Sequence, residues 1–401
     1  MDCSADHALP LHYPFPLGPY GTPPPVLTWA REHRPVCPVI LPSGDRVWMI
    51  TRKDDITRVF TDRRFSRDLT YPGAPRFVGD DFTIVPGGIF NLDPPDHTRI
   101  RHALNPFYTP ARVQRYRPMI ERHAGALLEA MASSPGPADL LEVYAAPLPL
   151  RVSCELLDIP IQHRVQYLEA FRTQIALNVD ADQVSAATST TLEFTDQVIA
   201  AKRARPSADD PVGALIRAHR DGAISEQELR GTVSYLFVTG SDPLVSPVAT
   251  GVITLLRHRE QLDQCIADPR LWPKAVEELL RYHHNGVLGY PRVATEDVTL
   301  HGVRIVKGDG VCAPMLGATW DERHYPAPDE FDIHRPTDAT ATFGAGPHFC
   351  LGAAFSRLYL AIAFQTLFDR FPELRLSVHE DDIPWRNDVG QTRPDQVPVC
   401  W

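Results

Sequence analysis

The sequence lacks the features that mark several common classes of protein. Its 401 residues carry 40 basic and 50 acidic side chains, for a formal net charge of −10, whereas nucleic-acid-binding proteins usually show a basic excess. Uninterrupted apolar runs such as 358–364 are far shorter than the roughly 20 residues that a membrane-spanning helix needs. The start of the chain has no basic segment followed by an apolar run, so we expect no secretory signal. We therefore expect a cytoplasmic protein that binds neither nucleic acid nor membrane.

Paired cysteines are also missing, because the seven cysteines stand singly and no Cys-x-x-Cys pair occurs. This argues against a zinc site or a dithiol redox motif. The odd number and the wide spacing argue against a disulfide framework. For six of the cysteines an ordinary buried or surface thiol is the default interpretation. Cys350 is the exception.

The chain reads as one domain, 1–401, that is mainly α-helical with small β-sheets. Proline is abundant, at 39 residues, and is densest from Pro10 to Pro25, which predicts an extended arm over 1–30. Two short apolar runs, 38–41 and 47–51, are joined by Ser43-Gly44-Asp45 and predict a hairpin. Helical spacing dominates from about residue 97. We predict helices near 53–61, 111–132, 139–157, 163–177, 184–203, 211–218, 226–257, 271–283 and 351–370, and short strands near 298–306 and 310–313.

The segment Phe343-Gly344-Ala345-Gly346-Pro347-His348-Phe349-Cys350-Leu351-Gly352 carries the strongest functional signal. Its glycines let the backbone approach a flat cofactor closely. Cys350 lies just before a long predicted helix, whose N–H groups and dipole favour a thiolate. A buried cysteine in a glycine-rich turn is the alternative interpretation. Glycine, histidine and cysteine all falling in register argues against that alternative.

This segment matches the pattern Phe-Gly-x-Gly-x-His-x-Cys-x-Gly and resembles the haem-binding signature of the cytochrome P450 family. The resemblance implies that haem b is the cofactor and that Cys350 is its thiolate ligand, which favours O–O cleavage. It also implies that Phe343, Gly344, His348 and Gly352 surround the cofactor. The implied fold is that of a cytochrome P450, and the implied activity is oxidation with O2 and external electrons.

Three further segments resemble the family. Asp93-Pro94-Pro95-Asp96-His97 continues to Arg101, and by resemblance His97 and Arg101 bind haem propionates; four residues apart on one helix, they can face the same carboxylates. Arg292, after Tyr290-Pro291, matches another propionate partner. Glu278-Leu279-Leu280-Arg281 is expected to form a buried structural triad with Arg335. Surface placement is the alternative interpretation for each of these charges.

The predicted helix at 226–257 departs from the family pattern, which usually reads Ala-Gly-x-acid-Thr. The acid is present as Asp242, but Pro243 occupies the alcohol position. Proline has no N–H, so the bond to the Thr239 carbonyl is lost and the helix must kink or open. Our hypothesis is that Asp242, with water and with Thr239 and Ser241 as possible helpers, delivers protons. The alternative is that Asp242 only faces solvent or a salt bridge.

A second resemblance concerns the substrate. Arg63-Arg64-Phe65-Ser66 followed by Gly73-Ala74-Pro75-Arg76 is similar to the branch of the family that oxidises cyclodipeptides, as are the segments around Glu278 and Arg292 and the ending Val397-Pro-Val-Cys-Trp401. This favours a tryptophan-containing cyclodipeptide, with C–C or C–N coupling or hydroxylation. Gln391 stands where a relative that couples cyclo-dityrosine has a substrate-facing arginine, which argues against cyclo-dityrosine itself.

Substrate contacts are predicted in the loop at 66–90, in the kinked helix, in the segment 287–290 and near 388–392. The individual candidates are Phe237, Val287, Leu288 and Gln391. Gly87 and Gly88 suggest that the first loop moves as a lid. Ordinary core or surface placement is the alternative for each of these positions.

Three rival functions stay open. The nearest is a hydroxylase of a macrolide or terpene. A peroxide-driven fatty-acid oxidant also has proline at the alcohol position, but it needs a cation beside that proline, where this chain has Asp242. The third is a haem-binding partner protein without catalysis, against which Cys350 argues.

Electrons must come from a separate protein, because no flavin or nicotinamide fingerprint is present. By resemblance we expect a ferredoxin and a ferredoxin reductase. Arginines cluster over 97–123, which suits docking of an acidic ferredoxin; a generic solvated face is the alternative. The arginines are Arg99, Arg101, Arg112, Arg115, Arg117 and Arg122.

Overall fold

The fold is dominated by helices, as predicted. The computed structural model describes residues 10–70, 73–79, 85–134, 136–159, 164–205, 209–283, 286–336, 342–386 and 392–401. The α-helices are α1 (Pro25–His33), α2 (Lys53–Thr61), α3 (Asp96–Tyr108), α4 (Pro110–Gln114), α5 (Arg117–Ala132), α6 (Pro147–Leu157), α7 (Arg164–Gln174), α8 (Ala181–Ala204), α9 (Pro211–Arg220), α10 (Glu226–Ser241), α11 (Val245–Arg257), α12 (Arg259–Ala267), α13 (Trp272–Tyr282), α14 (Met315–Thr319) and α15 (Ala353–Arg370).

The strands form small sheets at one side of the helices. They are β1 (Leu11–His12), β2 (Val36–Ile40), β3 (Arg46–Ile50), β4 (Phe65–Ser66), β5 (Ala138–Asp139), β6 (Arg292–Ala294), β7 (Val298–Leu300), β8 (Val303–Ile305), β9 (Gly310–Cys312), β10 (Arg375–Leu376) and β11 (Pro398–Cys400). The described sheets have the orders β1-β2-β3-β9-β6-β4, β10-β11-β5 and β7-β8. The predicted hairpin is confirmed as β2 and β3, which pair antiparallel from Val36 opposite Ile50 to Ile40 opposite Arg46.

The arm predicted over 1–30 is extended only in part. Residues 1–9 lie outside the described part of the chain. Strand β1 adds to β2 in parallel, but helix α1 already begins at Pro25. The prediction was wrong there because proline is tolerated in the first turn of a helix, where its missing N–H has no intrahelical partner. A cluster of prolines therefore does not exclude a helix that starts at its last member.

The long helix predicted over 226–257 is interrupted where proline replaces the usual alcohol. Helix α10 ends at Ser241, a single 3₁₀ turn covers Asp242–Leu244, and α11 begins at Val245. Ser241 has φ −122° and ψ −68°, outside the helical region. Since Pro243 cannot donate to the Thr239 carbonyl, the break predicted from the sequence is confirmed.

The main hydrophobic core lies between α5, α6, α11, α13 and α15, and a second core packs α10 against α6, α7, α8 and α9. Two stretches of the described chain, Glu226–Arg257 and Gly346–Arg370, are long and apolar enough to cross a membrane. Their most apolar windows are 78% and 56% buried inside the fold, as is usual for core helices. Helix α10 thus belongs to the second core and α11 to the main core, and the break lies where the chain passes from one to the other.

Candidate haem and oxidation site

The loop that presents Cys350 has a backbone conformation that requires glycine at two positions. Gly344 and Gly346 have φ +74° and +70°, in the left-handed region that favours glycine. A Cβ on Gly346 would lie 2.5 Å from the Phe60 carbonyl oxygen. The Cys350 N–H donates to the Phe343 carbonyl over 3.0 Å, and α15 begins three residues later.

Cys350 differs from the buried cysteines in its electrostatic environment. Burial raises the pKa of Cys265 and of Cys312 to about 12. Burial also raises the pKa of Cys350, but a backbone hydrogen bond from Gly352 and the charges of Arg101 and Arg357 oppose this effect. Two arginines and a backbone donor thus surround Cys350, and such groups stabilise a thiolate.

The predicted propionate partners come together beside this loop. The rings of His97 and His348 lie 4.2 Å apart between centroids. Nη1 of Arg101 donates to the Pro347 carbonyl over 3.1 Å. Arg292 is 6% exposed and its Nη1 donates to the Phe65 carbonyl over 3.1 Å. Helix α3, strand β6 and the cysteine loop thus deliver their basic side chains to one place.

Arg67 joins the same group, although nothing in the sequence singled it out. It is 3% exposed, and its Nη1 donates over 2.5 Å to the carbonyl of Pro291, 224 residues away in sequence. Its backbone N–H donates to Oδ1 of Asp93. A basic residue in a polar segment is exposed by default, so only the contact across the fold reveals its burial.

These residues fit an anionic cofactor. Within the described part of the chain, three of their buried nitrogens have no hydrogen-bond partner: Nδ1 of His97, Nε2 of His348 and Nη2 of Arg67. Unsatisfied buried donors are rare and costly. The carboxylates of haem b would satisfy them, while Cys350 would supply the iron ligand.

One face of the broken helix is open. Thr239, Pro243 and Pro247 keep solvent exposure, whereas 236–238, 241–242, 244–246 and 248 are buried. Residues four apart lie on the same face of a helix. We call these three positions the open strip. It is the part of α10 and α11 that a substrate can reach.

Asp242 lies next to the open strip and is 4% exposed. Its Oδ1 is 3.8 Å from Nη1 of Arg393, whose side chain is 9% exposed. Burial lowers the pKa of Arg393, and the charge of Asp242 opposes that effect. The Ser246 hydroxyl donates to the Thr392 carbonyl and fastens this C-terminal segment to α11. Arg393 was not among the residues predicted from the sequence, because the segment that carries it has no regular pattern.

The remaining predicted residues lie at different depths. Thr239 is on the open strip, with its hydroxyl donating to the Tyr235 carbonyl over 2.6 Å. Ser241 is buried, and its hydroxyl donates to the Phe237 carbonyl over 2.9 Å. Phe237 is 1% exposed and packs on Tyr167 with ring centroids 4.3 Å apart. The structure thus places Thr239 on the open strip, whereas Asp242, Ser241 and Phe237 are buried.

Two further substrate candidates are core residues in this structure. Val287 and Leu288 are 5% and 1% exposed and belong to the apolar cluster beneath the six-stranded sheet. Gln391 lies outside the described residues. The neighbouring Tyr290 is different, because it is 37% exposed and meets Phe90 edge-on at 5.1 Å between centroids.

Phe90 in turn packs on Tyr235, at 5.3 Å between ring centroids. Tyr235 lies one turn before Thr239 on the same face of α10. The pair Phe90 and Tyr290 therefore forms an aromatic wall at one end of the open strip, while Asp242 and Arg393 lie at the other end.

The glycines predicted to act as lid hinges serve close packing. A Cβ on Gly88 would lie 2.0 Å from the Tyr235 ring, and one on Gly231 would lie 2.5 Å from the Gly88 nitrogen. The Ile89 N–H also donates to the Thr232 hydroxyl over 3.2 Å. These contacts fasten 85–91 to α10.

The structural triad is assembled in the interior. Arg281 makes two hydrogen bonds of 2.8 Å to the carboxylate of Glu278, and Nε of Arg335 donates to the same group over 3.2 Å. Glu278 is fully buried and Arg281 is 1% exposed. The arginines also bind loop carbonyls around 326–330, so the triad ties α13 to that loop.

The basic run at 97–123 is largely neutralised by the chain itself. Arg99 contacts Asp96 and Glu228. Other arginines of the run pair with acidic side chains: Arg112 with Asp209, Arg117 with Glu121, and Arg122 with Glu155. The field offered to a partner is therefore weaker than the sequence suggests.

The sequence is similar to known proteins over most of its length. The family model described as Cytochrome P450 matches residues 149–391. The mycinamicin IV hydroxylase/epoxidase of Micromonospora griseorubida is 34% identical over 377 residues, which cover 92% of this chain and 94% of that protein.

Two solved structures extend the similarity to the whole fold. The putative thioether synthase SgvP, involved in the tailoring step of griseoviridin, has a TM-score of 0.92 and 33% identity, covering 98% of this chain and 100% of that one. Cytochrome P450mel 107F1, with biaryl coupling reactivity, has a TM-score of 0.87 and 33% identity, covering 94% and 96%.

Proposed function

The chain belongs to the cytochrome P450 family, and on that premise we propose that it oxidises a tryptophan-containing cyclodipeptide. It is a haem b oxidoreductase of the kind that acts in secondary metabolism. The proposed reaction joins the aromatic group to a second molecule through a C–C or C–N bond, or hydroxylates it.

The observation that carries this proposal is the mixed character of the two ends of the open strip. The aromatic wall, Phe90 and Tyr290, suits the face of an indole ring, since aromatic pairs prefer edge-on and offset contacts. The buried pair Asp242 and Arg393 makes the other end polar and charged, which suits amide groups. Along a helix, residues 235 and 242 are about 10 Å apart, a span that a substrate with an aromatic arm and an amide ring can bridge.

Bound haem supplies the activation of dioxygen with electrons from outside the chain. The chain itself positions substrate and protons. Asp242 holds an acid at the opened turn, where Pro243 has no hydroxyl to offer. Arg393 keeps that acid in place through its charge. Substrate is held against the open strip, so its own polar groups can complete the proton path.

A spectral titration tests the substrate class. The ferric protein is titrated with aromatic cyclodipeptides, a macrolide lactone and a terpene, and the haem spin-state shift is read. The proposal expects a saturable shift with cyclo(L-Trp-L-Trp) at lower concentration than with the other classes. A shift with the macrolide or terpene alone overturns it and favours the rival suggested by the mycinamicin relative. Mass spectrometry of turnover products then separates coupling, which removes hydrogens, from hydroxylation, which adds oxygen.

A fatty acid is included in the same titration because of Arg393. The sequence shows no cation beside Pro243, but the structure brings Arg393 close to the preceding residue. Its charge is already compensated by Asp242, which disfavours a carboxylate ligand. Peroxide-driven oxidation of a fatty acid would overturn the cyclodipeptide proposal. A reduced carbon-monoxide spectrum without the red-shifted thiolate band would favour the non-catalytic alternative.

We further propose that residues 1–401 act as one cytoplasmic domain that receives electrons from a ferredoxin and its reductase. The proposed docking face includes the exposed Arg115, on the side of the cysteine loop. The ion pairs of the neighbouring arginines mean that shape must contribute to docking as well as charge.

A further inference from the structure

Arg67 is a nearly fully buried arginine with one end unused. Its Nε donates to the Phe90 carbonyl over 3.3 Å and its Nη1 to the Pro291 carbonyl over 2.5 Å. Its guanidinium carbon lies 4.1 Å from the centroid of the Phe90 ring. Nη2 is buried and has no hydrogen-bond partner within the described residues. Two carbonyl groups thus hold Nε and Nη1 in place, and Nη2 remains as a donor.

The charges around Arg67 do not balance. Burial lowers the pKa of Arg67 to about 10 and that of Arg292 to about 9. The charge of Arg67 contributes to the lowered pKa of Arg292. Both remain cations at neutral pH. His97 is neutral there, because burial and then Arg101 lower its pKa to about 4. Arg67 and Arg292 thus bring two positive charges close to the single carboxylate of Asp93.

Buried positive charge of this kind needs an anion. His348 lies against His97, with 4.2 Å between the ring centroids. Nε2 of His348 and Nδ1 of His97 also lack partners in the described structure. The unused donors therefore converge where a haem edge carries its carboxylates.

We propose that Arg67 binds a haem propionate through Nη2 and so fixes the position of the cofactor. It acts together with Arg292, His97 and His348. Asp93 orients it, because Oδ1 of Asp93 accepts the Arg67 backbone N–H over 3.1 Å and Oδ2 accepts the Ser66 hydroxyl. With haem bound, the arginine charge is compensated and the unused nitrogens are satisfied.

The competing role for Arg67 is to bind a carboxylate of the substrate. Both roles use the same donors, so activity alone does not separate them. Resonance Raman spectra of the substrate-free ferric protein do, because the propionate bending bands respond to hydrogen bonds at the propionates. The rate of haem transfer to apomyoglobin and the reduction potential give two further readouts without turnover.

The test compares Arg67→Gln, Arg67→Lys and a matched control, Arg64→Gln. Arg64 is three residues away, but its guanidinium pairs with Asp62 near the surface. We expect Arg67→Gln to shift a propionate band, to speed haem transfer by about 10- to 100-fold and to make the reduction potential more negative. Arg67→Lys keeps the charge but not the fork, so it should preserve the potential better than the band. The control should match the wild type in all three.

Reconstitution with haem dimethyl ester provides a further control. Esterified propionates carry no charge and accept weaker hydrogen bonds, so the difference between wild type and Arg67→Gln in the rate of haem transfer should shrink. Equal propionate bands in both proteins, with weaker substrate binding in the variant, would overturn the proposal and assign Arg67 to the substrate. If Arg67→Gln yields no holoprotein, Arg67→Lys decides: a wild-type propionate band in that variant also overturns the proposal.

Discussion

Nη1 of Arg393 lies 3.8 Å from Oδ1 of Asp242, and both side chains are buried beside the break in the central helix. The two residues are 151 positions apart, and the Ser246 hydroxyl bond to the Thr392 carbonyl fixes their approach. The distance exceeds that of a hydrogen bond. The pair is therefore an electrostatic contact between two buried side chains rather than a hydrogen bond.

Replacing Asp242 should impair chemistry more than binding. We expect Asp242→Ala to lower product formation by about 100-fold, at the lower end of general acid–base effects, while the spin-state titration changes little. Asp196→Asn is the matched control, because Asp196 pairs at the surface with Arg230, which lies on α10. Turnover equal to the wild type would remove Asp242 from proton delivery.

The same pair predicts a coupling in stability. Asp242→Asn or Arg393→Gln alone leaves a buried charge without its partner, and each should lower the free energy of unfolding by about 1–3 kcal/mol. The double variant should cost less than the sum of the two. Urea unfolding of the four proteins measures this difference, and strict additivity would show that the residues do not interact.

Loss of the Glu278 charge should destabilise the holoprotein strongly. Glu278→Gln leaves Arg281 and Arg335 buried with a neutral acceptor, at a cost of about 3–5 kcal/mol. Its neighbour supplies the control, because Glu277 pairs with the half-buried Arg357 and Glu277→Gln should cost about 1 kcal/mol or less. Unfolding curves and the yield of the carbon-monoxide complex report both. Equal effects of the two changes would argue against a special role for the triad.

Acid should weaken the fold through His283. Burial, followed by the charge of Arg257, lowers the pKa of His283 to about 3, and its Nε2 contacts the Thr254 hydroxyl at 2.7 Å. The unfolded chain binds a proton near the ordinary pKa of about 6.5, so the unfolded state holds more protons below that pH. Stability should fall as the pH drops from about 6.5 toward 3, by about 1.4 kcal/mol per unit from this residue.

His283→Gln removes that titrating group and should make the pH dependence of unfolding shallower by about the same amount per unit. His379→Gln at the surface serves as the control and should leave the slope unchanged. A slope in His283→Gln equal to that of the wild type would mean that other groups cause the acid sensitivity.

Two glycine-to-alanine changes should alter the stability of the protein in opposite directions. Gly125 lies inside α5 and an added Cβ meets nothing within 4 Å, so Gly125→Ala should stabilise by about 0.5–1 kcal/mol. In Gly231→Ala the new Cβ would press on the backbone of Gly88, and we expect a net loss of about 1–2 kcal/mol with weaker substrate binding. Thermal unfolding and the spin-state titration test both predictions. If Gly231→Ala is more stable than the wild type, the segment 85–91 can move aside at little cost in free energy.

The sequence predicted the features that depend on local chemistry. The glycines around Cys350, the missing N–H of Pro243 and the turn at Ser43-Gly44-Asp45 each restrict the backbone where they stand, so the cysteine loop, the helix break and the hairpin followed from them. Two of the predicted substrate contacts, Val287 and Leu288, lie in the core. A sequence motif predicts where a segment lies but not which way its side chains point.

Arg67 and Arg393 could not be found from the sequence for a related reason. An arginine is buried only when distant segments supply its partners, and here those partners are 224 and 151 positions away. Helix α1 was missed because proline at its first position reads as a break. Local rules thus predicted where the chain bends, while the buried charges depend on how the segments meet.

The two prolines of the open strip determine which changes can redesign it. Pro243 and Pro247 have no N–H, so neither supplies the α-helical hydrogen bond to the residue four positions before it. The break is therefore set by the backbone, and varying the neighbouring side chains alone leaves it in place. Directed evolution toward a differently shaped pocket should therefore begin by replacing a proline, because only that restores a backbone donor to the turn.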